Sequence, residues 1–357
     1  METQANHLLI STLNPAIKAV AAQLAYLQAP ANAIVAQPDL IINSLPALPK
    51  QQSTARSIAN SYLKQVGEIL GNVRDTVVML DNEYNRLYSK LVELAEAYEN
   101  KGAGGKKAKE LMEGVLLLKR TIEADEPKRQ LINGNLKSLS NASASFTQGF
   151  ITLLKEAEKG LGPDVIDPLQ SQVNDVFDKI QEDNKTLSKG VVEDIKPIFD
   201  MIVAAISSAS SKGEQQQEQV QRNSEIMSAS IKKIKDVDAK QKAAMEDVDA
   251  QIKRYKALLL QLERDKLEYV LVCSLSTQIK MLNTQLPVLL SYWERFQASW
   301  KEVSNDLDEL HKQLANAEPE KALLSLLRQA KEDWNNLSIL VKGFYSIGKL
   351  PVETIKV

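Results

Sequence analysis

Apolar positions recur every three or four residues over most of this chain. Ile58, Tyr62, Val66, Ile69, Val73, Val77, Leu80, Tyr84, Leu87, Leu91, Leu94 and Tyr98 form one stripe within a proline-free stretch from Gln51 to Asn100, the spacing of a single long amphipathic helix. A second stripe, Met245, Val248, Ile252, Tyr255, Leu259 and Leu262, follows a heptad rhythm. It lies inside Glu214–Leu286, 73 residues with neither glycine nor proline. A continuous helix of that length would measure roughly 110 Å, whereas a compact sphere of this chain would be only about 50 Å across. The pattern predicts an all-α fold, an elongated bundle of about five long helices.

Helix breakers divide the rest. Asn14-Pro15 supplies a cap and a first-turn proline for a short helix running to about Gln28. Pro30, Pro38, Pro46 and Pro49 crowd Ala29–Lys50, which predicts a non-helical segment. Ile34, Val35, Leu40, Ile41, Ile42, Leu45 and Leu48 make it too apolar for a free linker, so an extended strap along a hydrophobic groove is expected. Lys101-Gly102-Ala103-Gly104-Gly105 lacks the spacing of a phosphate loop and joins helix to helix, which favours a hairpin turn. Further interruptions are expected as a bend near Glu126-Pro127, a break at Gly160-Leu161-Gly162-Pro163, a kink or turn at Pro287, and a separation at Glu318-Pro319 before a last helix ending near Gly343. Trp293, Trp300 and Trp334 fall in the closing helices, where they are expected as core or interhelix wedges.

Composition narrows the function. The 357 residues include 14 Gly and 12 Pro, against about 25 and about 18 at average usage, too few turn formers for a β-sandwich, a barrel or a many-looped α/β enzyme. Lys+Arg 44 against Asp+Glu 46 leaves a formal charge of −2, so no basic field invites nucleic acid. The single cysteine, Cys273, follows Tyr269 by one helical turn; it rules out an intramolecular disulfide or a Cys-based zinc site and is expected as a buried core thiol. His7 and His311 are the only histidines, and no His pair has metal-ligand spacing. With no nucleophile–base or metal constellation, neither an enzyme nor a cofactor is expected. Ala19–Ala29 followed by Pro30-Ala31-Asn32-Ala33 superficially resembles a signal peptide. Glu2 is acidic and Lys18 interrupts the apolar run, so an amphipathic helix is expected there and export without a recognisable cleavable signal. No stretch supplies the ~20 apolar residues of a transmembrane helix, and a soluble monomer is expected before any assembly.

One segment departs from the charged helices. Ile195, Ile198, Phe199, Ile202 and Ile206 share one helical face, with Met201 and Val203 filling in, and Met201–Ser211 carries no charge. Twelve helical residues span roughly 18 Å, against a hydrocarbon core of about 30 Å. The segment is too short to cross a bilayer as one helix. It could lie in the membrane interface or join a longer inserted hairpin after rearrangement; equally, it could be an ordinary core-facing helix at a bundle end. The expected organisation is a tail of residues 1–189 and 226–357 and a small head of residues 190–225.

Two local patterns and the order of the parts resemble a known class. The first is Gln37-Pro38-Asp39-Leu40, then Leu45-Pro46-Ala47-Leu48, then Gln52, Ala55, Ala59 and Tyr62; the second is Gln278-Ile279, Leu282, Leu286 and Leu289-Leu290-Ser291-Tyr292-Trp293. Short helix, strap, long hairpin, apolar head, long return helix and closing helices follow in the order seen in the haemolysin BL and non-haemolytic enterotoxin components. These fall within the wider cytolysin A-like class of α-helical pore-forming toxins, which includes the motility-associated killing factors of vibrios. The resemblance implies a soluble rod whose head opens on a target-cell membrane, or on meeting homologous partner components, to build a lytic hetero-oligomeric pore. Its membrane-interacting residues would be Ile195, Ile198, Phe199, Met201, Ile202, Val203 and Ile206. Lys196, Pro197 and Asp200 make this head less apolar than those of the most hydrophobic members. A non-toxic coiled-coil scaffold or adaptor is the alternative.

Overall fold

The computed structural model describes residues 13–37, 39–43, 45–101, 106–159, 264–315 and 323–343, together with scattered positions between 168 and 183 and between 243 and 254. The described residues contain six helices and no strand: α1 (Leu13–Ala36), α2 (Leu48–Lys101), α3 (Lys106–Ala124), α4 (Glu126–Glu158), α5 (Arg264–Ala315) and α6 (Leu323–Gly343). Asp125 alone parts α3 from α4, and Pro127 sits in the first turn of α4, where its missing N–H would have had no helical partner. The expected bend is there. The two pieces are one interrupted helix, and the all-α expectation of about five helices holds.

The prolines correct two boundaries. α1 does not stop near Gln28 but runs through Pro30 to Ala36. An interior proline costs about 3 kcal/mol, but Ala31, Ala33 and Ile34 are all 2% exposed or less, and burial of that apolar turn offsets the loss. Pro287 likewise lies inside α5 instead of breaking it. It faces solvent, where water can serve the carbonyl that lacks a donor, while Leu286 and Leu289 stay buried on the other side. The strap is therefore shorter than expected, and α2 begins at Leu48 with Pro49 in its first turn.

The chain divides into two compact units, one drawn from Met1–Val20, Glu68–Gly134 and Ser291–Tyr345, the other from Ala21–Gly67, Asn135–Leu290 and Ser346–Val357. The first unit has an aromatic core. Trp293, Phe296 and Trp300 are buried on successive turns of α5. Trp293 and Phe296 have ring centroids 4.9 Å apart, Phe296 meets Trp300 edge-on at 6.0 Å, and Trp300 stacks on Trp334 of α6 at 6.1 Å. The tryptophans are interhelix wedges, as their spacing predicts. Tyr84 of α2 is buried beside them and its Oη donates to the Leu327 carbonyl of α6 at 2.7 Å. Gly114 allows α3 to approach α2, since a Cβ there would stand 2.9 Å from Leu91 Cδ2.

The second unit has a more mixed interior. Leu24, Leu27 and Ile34 of α1, Ala55, Ala59 and Tyr62 of α2, and Leu275, Leu282 and Leu286 of α5 are buried. Gln23, Gln28, Gln52, Ser274, Ser276 and Gln278 are buried as well. Cys273 is a free, fully buried thiol, as expected from its place in the apolar stripe.

Candidate functional site

Ile195, Ile198, Phe199, Met201, Ile202, Val203 and Ile206 all lie outside the described residues, as does the whole span 190–225 assigned to the head. The division into two units is therefore silent on the head-and-tail organisation. Among the described residues, no helix is long and apolar enough to cross a membrane, and no group of three His, Cys, Asp or Glu side chains could hold a metal ion. The hairpin turn at 102–105 is also outside them, although helices flank it on both sides.

What the structure does build is the strap and its lock on α2. Between Gln37 and Ala47 the chain leaves helix, and Leu40 and Leu45 turn inward at 1% exposure. Leu48 follows them into the interior as α2 begins. Alternation sends the next side chain out, and Ile41 is 70% exposed. Burying Leu40 strands its backbone N–H, which must find a partner away from water. Gln52 supplies one: fully buried one turn into α2, its Oε1 accepts from the Leu40 N–H at 2.9 Å and its Nε2 donates to Gln37 Oε1 at 3.4 Å. One turn further on, Arg56 donates to Asp39 Oδ1 at 2.6 Å and to the Gln37 carbonyl. Within the same unit, Tyr62 Oη donates to the Leu24 carbonyl of α1 at 2.9 Å, and burial raises the phenol well above its ordinary pKa. Gln52 and Tyr62 thus tie the strap and α1 to one face of α2, and Arg56 fastens the strap's outer edge.

Polar groups in the first unit are also structural. Lys119 of α3 pairs with Asp308 of α5 at 2.7 Å and with Glu123 at 3.3 Å; the hydrogen bond to Asp308 is the main cause of its raised pKa. Arg129 was not singled out from sequence. It is 4% exposed, its Nη2 donates to the Ile122 carbonyl at 2.9 Å, and its guanidinium lies 5.7 Å from the Trp300 ring centroid. Burial lowers its pKa against the pull of Asp125 and Glu126. The legible signal is its phase, for Arg129, Ile132, Leu136 and Leu139 step along one buried stripe of α4. The cavity beside Tyr84, Ile122 and Trp334 holds about 10 Å³, room for no more than one water. Neither unit presents an active site among its described residues.

The family model for Bacillus haemolytic enterotoxin (HBL) matches residues 8–183, the stretch that contains α1, the strap and α2 to α4. In fold, the chain is similar to the HblL1 toxin component of Bacillus cereus, with a TM-score of 0.74, 14% identity, and coverage of 98% of this chain and 99% of that one. It is also similar to AhlB of the tripartite α-pore-forming toxin of Aeromonas hydrophila. The soluble form gives 0.58 at 12% identity over 93% of this chain and 94% of that one. The pore form gives 0.52 at 15% identity over 96% and 98%. No curated protein matches the chain by sequence.

Proposed function

From a haemolysin BL-like chain that matches the Bacillus enterotoxin pattern over residues 8–183 and the toxin-component fold over nearly its full length, we infer one component of a multi-part α-helical pore-forming toxin. The observation that carries this reading is the coincidence of the two comparisons. The family pattern falls on the strap and its lock, whose residues have position-specific partners, while the fold extends the likeness through α5 and α6. AhlB, similar in both its soluble and its pore form, supports a chain that is soluble before assembly and rearranges during it. The partners are homologous toxin components and the lipid of a target-cell membrane, and the site of action lies outside the producing cell.

Within that reading, residues 190–225 are the membrane-active head, and Ile195, Ile198, Phe199, Met201, Ile202, Val203 and Ile206 are the face that meets acyl chains. The test is erythrocyte lysis by the chain, alone and with companion components, using Ile202→Asp and a control, Ile339→Asp, at an α6 position already 61% exposed. An aspartate in the inserted face costs roughly 2.5–3.5 kcal/mol, about two decades in the inserted population. The Ile202 variant should therefore lose lysis while the Ile339 variant keeps it. A folded Ile202→Asp protein that lyses like wild type overturns the assignment of the face. Wild type that neither binds membranes nor lyses cells under any combination supports the scaffold instead.

A further inference from the structure

The break between α3 and α4 is fastened from two sides by different kinds of bond, all within the first unit. On the α5 side the groups are buried. The Ile122 carbonyl, which an unbroken helix would pair with the Glu126 N–H, takes Arg129 Nη2 at 2.9 Å. The Arg129 carbonyl takes Trp293 Nε1 of α5 at 3.2 Å, and both side chains are buried. On the α2 side the contact is one hydroxyl. Thr76 is fully buried, and its Oγ1 stands 2.5 Å from Asp125 Oδ2 and 2.8 Å from the Asn72 carbonyl one turn back in α2. That hydroxyl has one proton for two acceptors. The carboxylate is the stronger of the two, and the shorter distance is that of a charge-assisted bond.

Parting the two sides has unequal consequences. Separating α5 from the break strands a buried carbonyl, a guanidinium and an indole N–H, each of which is costly to leave unpaired. Separating α2 strands nothing. Thr76 turns its proton to the Asn72 carbonyl, the ordinary bond of a threonine inside a helix, and the half-buried Asp125 turns to water. The stretch of α2 that carries Thr76 also has defined ends. Two turns beyond, Tyr84 Oη is fixed to the Leu327 carbonyl of α6 at 2.7 Å. Just before it lies Gly71, where an added Cβ would meet nothing within 4 Å. Packing does not require a glycine there, yet glycine weakens a helix interior about fivefold relative to alanine.

We propose that the Thr76–Asp125 hydrogen bond is a releasable latch, which lets the stretch of α2 between Gly71 and Tyr84 part from the α3–α4 break while Arg129 and Trp293 keep α3, α4 and α5 fastened together. The asymmetry sets the direction of the movement. The side whose donor has a second acceptor opens, and the side whose groups have none stays closed. Gly71 is the soft end of the moving stretch and Tyr84 its anchor. The device belongs to the first unit alone and does not rest on the toxin reading.

The test is the rate at which a maleimide labels Val73→Cys in the full chain. Val73 is buried one turn before Thr76 on the same stripe of α2, and Cys273, fully buried in the other unit, gives the background in the parent chain. Adding Thr76→Val keeps the shape and removes the hydroxyl, and labelling at position 73 should rise about tenfold. Thr76→Ser keeps the hydroxyl and should label at least about threefold more slowly than Thr76→Val. Gly71→Ala stiffens the soft end and should slow labelling about threefold to fivefold below the Val73→Cys chain alone. Exchange of the Trp293 indole N–H, followed by NMR in the same variants, should stay within about twofold, because its bond to the Arg129 carbonyl is on the closed side. Unchanged labelling in Thr76→Val, or Thr76→Ser labelling as fast as Thr76→Val, overturns the latch. Gly71→Ala labelling no more slowly than its parent overturns the assignment of the soft end. Trp293 exchange that accelerates by the same factor as labelling shows general unfolding and overturns the proposal as a whole.

Discussion

Replacing Gln52 by alanine should loosen the strap far more than replacing Arg56, although Arg56 makes the shorter contacts. The difference is burial. Gln52 is fully buried, and its loss strands the Leu40 N–H, a buried donor that gives its hydrogen bond to Gln52 Oε1 at 2.9 Å. An orphaned buried donor costs about 1–3 kcal/mol, and the lost side-chain packing adds about 1. A local cost of about 2–3 kcal/mol raises the open population of the strap about 30- to 150-fold. Arg56 faces Asp39, which is 73% exposed, across a half-buried pair. Such pairs contribute about 0.2–1 kcal/mol, and with the bond to the Gln37 carbonyl the loss stays below about tenfold.

Thermolysin, which cuts before large apolar residues, reads this opening at Leu40, Ile41 and Ile42. Cleavage tracks the open population as long as reclosing outpaces the protease. The expected order is Gln52→Ala fastest, Arg56→Ala intermediate, wild type slowest, with Gln52→Ala leading Arg56→Ala by at least about threefold. Equal rates for the two variants, or faster cleavage of Arg56→Ala, would refute the argument that an inward-facing amide governs the strap.

Two further outcomes follow from the first unit. Trp300→Ala removes a ring packed against both Phe296 and Trp334 and should cost about 3–5 kcal/mol; a loss under about 1 kcal/mol in denaturant unfolding would mean that the aromatic stack is incidental. Arg129→Met should fall within about 1 kcal/mol of wild type or exceed it, because the guanidinium is desolvated and its Nη1 has no hydrogen-bond partner among the described residues. A loss above about 3 kcal/mol would show that the contacts to Ile122 and Trp300 outweigh the desolvation.

The helices were legible because their signal is redundant. In the α2 stripe, Tyr62, Val66, Ile69, Val73, Val77, Leu80, Tyr84, Leu91 and Leu94 are all at most 3% exposed, and no single substitution would have hidden a pattern of that length. The two misplaced boundaries were both prolines. A rule about a missing N–H is local, and the burial that overrides it at Pro30, or the solvent that excuses it at Pro287, depends on neighbours far along the chain. The strap was legible as apolar and non-helical, but its lock was not. Gln52 has no apolar signature, and only the fold shows that its amide lies opposite the Leu40 N–H. Arg129 escaped for the same reason, since a charged residue in the phase of a buried stripe looks like an interruption until the guanidinium is seen to bond a carbonyl and cover a ring.

This contrast gives a physical reason why the family pattern matches residues 8–183 while the fold likeness covers 98% of the chain. At the buried apolar positions of α5 the demand is mainly volume and phase, and leucine, isoleucine, methionine or valine can meet it with modest repacking. The likeness in fold to the Bacillus cereus component stands at 14% identity over nearly the whole chain. The strap allows less exchange. Gln37 and Gln52 must be amides because each gives or takes a specific hydrogen bond, Arg56 must reach both a carboxylate and a carbonyl, and Tyr62 must carry a hydroxyl to Leu24. Such demands single out residue types as well as classes. The strap and the α1–α2 contact lie within residues 8–183, the stretch that the Bacillus enterotoxin pattern matches, whereas the membrane-active role proposed above belongs to a different segment.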